Sequence, residues 1–217
     1  MQKLFNIYTF TLFKLFIFNL LIFGRNKIIK FIYKNYKISN SQIFQDLFVL
    51  SISLQKKNGF FIEIGVGNGV DLSNTYLLEK SYDWKGILCE PDVRNFENIE
   101  KYRSSKLVKS MISDKCKNNV EFYLNNDPYS SSFKNIQGTQ KKIYSESICL
   151  NHLFKKYELK EVDYISIDTE GNEYEILKNF DFQKYNVNIF TIEHNFNSEK
   201  RKKIKILLKE NGYKNIF

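Results

Sequence analysis

Cysteine, arginine and N-terminal acids are what this sequence has least of. Its three cysteines, Cys89, Cys116 and Cys149, make no CxxC pair and leave one over. That spacing suggests neither a disulfide scaffold nor a zinc site and fits reducing surroundings. Arginine occurs four times among 33 basic residues. No acid precedes Asp46, whereas seven basic residues stand before position 38. This local absence produces most of the formal charge of +9, because the residues after Lys37 hold 26 basic and 24 acidic side chains, a net of +2. A nucleic-acid binder carries its basic excess on the domain that grips phosphate, and here that domain is close to neutral. The pI of about 9.2 rests on lysine, in a chain also rich in Phe, Tyr, Ile and Asn, the mark of a general coding bias.

What is present is globular. With 217 residues, 43% of them hydrophobic and 26% charged, the chain suffices for one α/β domain with a sizeable core. It divides into a hydrophobic and basic segment, 1–37, and a domain, 38–217. Leu4 to Phe23 reads LFNIYTFTLFKLFIFNLLIF, which as a helix would reach about 30 Å, the thickness of a bilayer core. Lys14 interrupts it at roughly 2.5–3.5 kcal/mol, as do Asn6, Thr9, Thr11 and Asn19. The basic run RNKIIKFIYKNYK follows and would stay on the cytoplasmic side. Residues 4–37 can instead lie on an anionic membrane surface, or pack as a helix on the domain or a second subunit. A signal peptide is disfavoured, since no small-x-small site follows the apolar run. The expected location is the cytoplasm, with attachment to the cytoplasmic face of a membrane.

Beyond Gly59 short apolar runs alternate with helical stretches. FFIEI (60–64), GILCE (86–90), KLVKSMI (106–112), DYISID (163–168) and VNIFTIE (187–193) are nearly continuous in Ile, Val and Phe, as strands buried on both faces are. Helices are expected at 71–82, 92–103, 149–158, 173–180 and 198–211, with another within 39–55. Repeated strand–helix units predict a doubly wound, mostly parallel α/β sheet of Rossmann-like type. VEFYLN (120–125) and the Ser-rich loop after it read as an insertion.

Three motifs carry chemistry. In FIEIGVGNG, Glu63 ends a strand and Gly65, Gly67 and Gly69 lead into a helix, a turn suited to close ligand approach. A nicotinamide site favours G-x-G-x-x-G, and here the third glycine comes one residue early. Glu90 ends the next strand in GILCEPD, where an acid can accept bonds from ribose hydroxyls. Together they indicate an adenosyl cofactor, either a dinucleotide or S-adenosylmethionine. DYISIDTEGNE and TIEHN then place Asp168, Glu170, Glu193 and His194 at neighbouring strand ends. Such a rim suits a general base for a hydroxyl or a divalent cation, held by Asp168 and Glu193. His152, on a helix, reads as a surface or packing residue.

These segments resemble the FkbM-type family of S-adenosylmethionine-dependent methyltransferases. The resemblance rests on SQIFQDLFVL, GFFIEIGVGNGVDLSNTYLLE, WKGILCEPD, SMISD, SSF, DYISIDTEGNEYEILKNFDF and TIEHNF, from about Ser41 to Tyr213. It implies a class I methyltransferase fold, usually of strand order 3-2-1-4-5-7-6, and methyl transfer to a hydroxyl oxygen of a small molecule, sugar or glycan. It further implies that Glu63, Gly65, Gly67 and Gly69 border the methionine part of the cofactor and Glu90 its ribose, with Ser113 and Asp114 near the adenine. Gln42, Gln45, Asp46, Asn74 and Thr75 would close or shape the site, and Asp168 and Glu170 would face the reaction. Glu193 and His194 are nominated from their strand-end position. The chain stops after the fifth expected strand and one helix, so the last strand of that fold is expected to be missing, through a shortened edge or a truncated C-terminus.

Two rivals remain open. NDPY (126–129) partly matches the Asn/Asp-Pro-Pro-Tyr signature of nucleic-acid amino methyltransferases, but it lacks the second proline and follows the wrong strand. The near-neutral domain also disfavours nucleic acid. A non-catalytic, membrane-associated domain that keeps the fold is the second.

Overall fold

The computed structural model describes residues 27–125, 139–194 and 197–216. Its first half runs α1 (Lys27–Asn35), α2 (Gln45–Ile52), β1 (Phe60–Ile64), α3 (Tyr76–Tyr82), β2 (Lys85–Cys89), α4 (Phe96–Tyr102), β3 (Lys106–Val108) and β4 (Met111–Ser113). The second half runs β5 (Lys117–Asn125), β6 (Thr139–Cys149), α5 (Leu150–Lys156), β7 (Glu161–Ile167), α6 (Glu173–Lys178), β8 (Asn186–Ile192) and α7 (Ser198–Glu210).

Five strands form one parallel sheet in the order β3-β2-β1-β7-β8. Alternate residues along its central strands enter two separate cores. Ile62, Ile87 and Ile165 pack with Leu153, Phe154, Leu177 and Ile204 of α5, α6 and α7. Phe61, Leu88 and Tyr164 point the other way and pack with Ile32, Leu47, Leu50 and Leu78 of α1, α2 and α3. Period-two alternation therefore persists, but both faces are covered, which is why the strands read as unbroken apolar runs. The result is the expected doubly wound α/β fold, Rossmann-like and of methyltransferase type, with the 3-2-1-4-5 part of the expected order.

The expected strand over 106–112 is two strands. Residues up to Val108 pair with β2, whereas Met111–Ser113 pair with β6 in a second sheet of order β4-β6-β5. Met111 moves because it joins a small core of its own with Phe122 and Leu124. β6 had no apolar run to announce it, since this hairpin is packed on one face only.

β8 is the outer strand, and among the described residues none pairs beyond it. Its exposed rim is partly covered: the Tyr213 hydroxyl donates to the Val187 carbonyl at 2.8 Å, and the Phe182, Phe190 and Tyr213 rings pack edge to face. Such covering limits strand-to-strand association.

The basic N-terminal run also finds a place. α1 packs Ile32, with Ile28 and Phe31, against the domain and turns Lys27, Lys30 and Lys34 outward. The Leu4–Phe23 run and the NDPY segment lie outside the described residues. Among the described residues no helix is long and apolar enough to cross a membrane. All three thiols are free, yet Cys116 Sγ lies 3.1 Å from Cys149 Sγ.

Candidate active site

The glycine turn after β1 begins with a close backbone contact. Gly65 has φ of 80°, and a Cβ built on it would lie 1.7 Å from the Asp168 carbonyl oxygen. The Asp168 N–H in turn donates to Ile64 O at 2.9 Å, and the Gly65 N–H to Cys89 O at 3.0 Å. Only glycine allows the ends of β1, β2 and β7 to meet this closely. Gly67 and Gly69 follow with φ of 56° and 82°.

Glu63 is 1% exposed, and its carboxylate accepts from Ser73 Oγ, the Asn74 N–H at 2.6 Å and Thr75 Oγ1. Arg103, with a fully buried side chain, lies 3.6 Å from it. That guanidinium also donates to Gly69 O at 2.9 Å, Ser73 Oγ at 3.1 Å, Thr75 Oγ1 at 2.8 Å and Glu79 Oε2 at 3.1 Å. Burial pushes the Glu63 carboxyl up from its ordinary value, against the pull of Arg103. Glu63 and Thr75 thus anchor the exit of the turn from inside. The same anchoring delays α3 to Tyr76, five residues after its expected start.

Asn74 stands at the boundary of this network. Its Nδ2 donates to Ser166 Oγ at 2.8 Å, while its buried Oδ1 has no hydrogen-bond partner among the described residues. Glu90 is also buried and accepts from the Val66, Gly67 and Asp92 N–H groups at 3.0, 2.9 and 2.8 Å. Burial pushes its carboxyl up to about 7, despite those three bonds. A carboxylate offers about four lone-pair positions, so one more donor can be accommodated.

The start of α2 is held by its own side chains. Asp46, fully buried, accepts from Ser39 Oγ at 2.6 Å and the Asn40 N–H at 2.9 Å. Gln45 Oε1 accepts from the Ile43 N–H, and Gln42 is exposed. Asp46 is therefore a local brace. It shapes the site only through Ser41, which bridges to Leu72 beyond the glycine turn. Ser113 and Asp114 hydrogen-bond each other at 3.0 Å, and Asn172 Nδ2 donates to Ser113 Oγ at 3.5 Å, which sets β4 beside the loop after β7.

On the far side the acids do converge. Carboxylate oxygens of Asp168, Glu170 and Glu193 lie within 4.8 Å of one another. Burial, the hydrogen bond to Glu193 and the charges of Glu193 and Glu170 push the Asp168 carboxyl up to about 10. Glu193 Oε2 is buried without a partner among the described residues. The loop that carries Glu170 is pinned by Glu173. This fully buried acid accepts from the Thr169 N–H at 3.2 Å, the Gly171 N–H at 2.8 Å and Lys200 Nζ at 2.9 Å. His194 follows Glu193 and borders a groove with α7, while His152 is exposed on α5.

Sequence reasoning missed Glu79, Arg103 and Glu173 as parts of the site's frame. Only Glu173 had a local signal, an acid in the first turn of a helix directly after the DTEG loop.

A glycine turn, a strand-end glutamate and an acidic rim stand here along one edge of a parallel sheet. A family model described as the methyltransferase FkbM domain matches residues 63–214. The chain belongs to the FkbM methyltransferase family. Among curated proteins none matches it. The FkbM match starts at Glu63, so α1 and α2, which supply Ile32, Leu47, Val49 and Leu50 to one core, precede the part of the domain that the family model matches.

Proposed function

We propose that this FkbM domain transfers the methyl group of S-adenosylmethionine to a hydroxyl oxygen of a small-molecule, sugar or glycan acceptor. The observation that carries the reading is the cluster of Asp168, Glu170 and Glu193 carboxylates beside the Gly65 turn. In open α/β sheets ligands lie beyond the carboxyl ends of the strands, and these acids stand at the ends of β7 and β8.

The residues fit the cofactor. Its ribose hydroxyls and amino group are donors, and the buried Asn74 Oδ1 and the remaining lone pair of Glu90 are acceptors. The Gly65 to Gly69 turn lets backbone approach where a side chain would obstruct. When bound, S-adenosylmethionine supplies an electrophilic methyl on a cationic sulfur that leaves as a neutral thioether. What remains for the protein is alignment and one proton.

The acidic cluster deals with that proton. A carboxylate oxygen of the cluster accepts the hydrogen bond of the acceptor's hydroxyl, orients its oxygen and takes up its proton as the methyl group is transferred. Glu173 is a positioning residue that fixes Glu170 through the Thr169 and Gly171 N–H groups. His194 borders the acceptor side. A hard divalent cation suits the same three carboxylates, with Glu170 joining Asp168 and Glu193 as donors. Attachment to the cytoplasmic face of a membrane, through residues 4–37, belongs to this proposal too.

The test is transfer of labelled methyl from S-adenosylmethionine into glycan, small-molecule and RNA pools. Label in the glycan or small-molecule pool, lost with Asp168→Asn, is expected. Label in RNA alone, or turnover unchanged by the substitution, contradicts it.

A further inference from the structure

Between His194 and α7 lies a groove with about 310 Å³ of space, lined by His194, Ser198, Arg201, Lys202 and Lys205. The four α7 residues recur at three- and four-residue spacing and so share one helix face. Like charges at that spacing repel, yet no acid is interleaved on this face.

Lysine alone would mean little in a chain with so many. Arginine is scarce, with four in 217 residues, and its use is selective. Arg94 is committed to Asp92 at 2.6 Å, and Arg103 to Glu79 and Glu63. Arg201 has no ion pair among the described residues. The acids near α7 are spent elsewhere: Glu199 pairs with Lys203 at 2.6 Å and Glu173 with Lys200 at 2.9 Å. Arg201, Lys202 and Lys205 are all exposed and unpaired among the described residues. They stand beside His194, one residue from Glu193 of the acidic cluster.

We infer that this groove binds a phosphoryl group on the methyl acceptor, so that the substrate class is a phosphorylated hydroxyl compound. The inference rests on the transferase reading and names the substrate of that same site. A guanidinium grips an oxoanion through two parallel N–H groups, and flanking ammonium groups add charge. Three cations balance a phosphate dianion better than a single carboxylate. Repulsion from Asp168, Glu170 and Glu193 keeps the phosphoryl group out of the acidic cluster, which leaves the hydroxyl as the end of the acceptor that enters it. The phosphate fixes which end points inward, and so which hydroxyl is methylated.

The test uses the full chain in calorimetric titrations with glucose 6-phosphate, glucose and phosphatidylglycerol vesicles, and with S-adenosylmethionine in parallel. Glucose 6-phosphate should bind and glucose should not. Arg201→Ala and, separately, Lys205→Gln should weaken the phosphate probe about tenfold, with cofactor affinity unchanged and Arg201→Lys restoring part of the loss. Binding of the vesicles in place of the sugar phosphate, with the same dependence on Arg201, supports the proposal with a lipid headgroup as the phosphate source. Equal affinity in Arg201→Ala, or no binding of either phosphate probe by the wild type, overturns it. A chain that binds phosphate through Arg201 but not S-adenosylmethionine refutes the transferase reading alone. One that binds the cofactor but neither phosphate probe refutes this inference alone.

Discussion

The carbonyl oxygen of Asp168 lies where a side chain on Gly65 would begin, 1.7 Å from an ideal Cβ. The cofactor turn and the acidic rim are thus one contact, and loosening either moves both. Gly65→Ala must push β7 away from β1 and also hold alanine at φ of 80°. The left-handed conformation alone costs roughly 1–3 kcal/mol. A lower urea midpoint together with loss of S-adenosylmethionine binding is the expected outcome; unchanged binding would separate the turn from the rim.

Asp168→Asn separates stability from function. Three carboxylates crowd within 4.8 Å, and their repulsion is a standing cost to the fold. Because burial and its neighbours already push the Asp168 carboxyl up to about 10, asparagine keeps the neutral form, and the denaturation midpoint near pH 7 should stay within about 1 kcal/mol of the wild type, while methyl transfer falls by about 100-fold or more. A variant that is both less stable and fully active contradicts this assignment.

Glu90 predicts a pH dependence with a definite sign. Its carboxyl is raised to about 7 in the folded chain, above the unfolded value of about 4.3. The native state therefore holds a proton that the unfolded state releases. The stability this provides is complete below about pH 4 and is lost as pH rises through about 7. Thermal unfolding followed between pH 5 and 8 should show the decline, and Glu90→Gln should flatten it. An unfolding temperature that rises across this window in the wild type would reverse the sign and refute the assignment.

Arg103 holds two buried carboxylates at once, Glu63 and Glu79, with all three side chains at 2% exposure or less. Arg103→Met leaves both acids buried without their cation, at a cost of about 3–5 kcal/mol. Arg103→Lys should recover little, because one ammonium cannot span acceptors on Gly69, Ser73, Thr75 and Glu79. Chemical denaturation of the two variants checks this.

Much of this architecture was legible in the residues because of burial on both faces. β1, β2, β7 and β8 read as apolar runs, and Glu63, Glu90 and Asp168 could be placed at or near strand ends from position alone. Other features depend on partners far apart in the chain. Arg103 meets Glu79 across 24 positions and Gly69 across 34, and no local pattern announces it. The position of Glu63 at a strand end is local, whereas its bonds to Ser73, Asn74 and Thr75 are a tertiary fact. Cys116 and Cys149 stand 33 positions apart without a CxxC motif, and β5 and β6 bring their sulfurs together. α3 starts late for the same kind of reason, since the Glu63 and Arg103 network claims Ser73, Asn74 and Thr75 first.

The most direct test of the account is calorimetric titration of the full chain with S-adenosylmethionine, repeated with Glu90→Gln. The account predicts one cofactor per chain for the wild type, and an affinity at least about tenfold weaker in the variant, since Glu90 accepts through both carboxylate oxygens and an amide keeps only one of them as an acceptor. No heat with the wild type, or equal affinity in the two proteins, would contradict it.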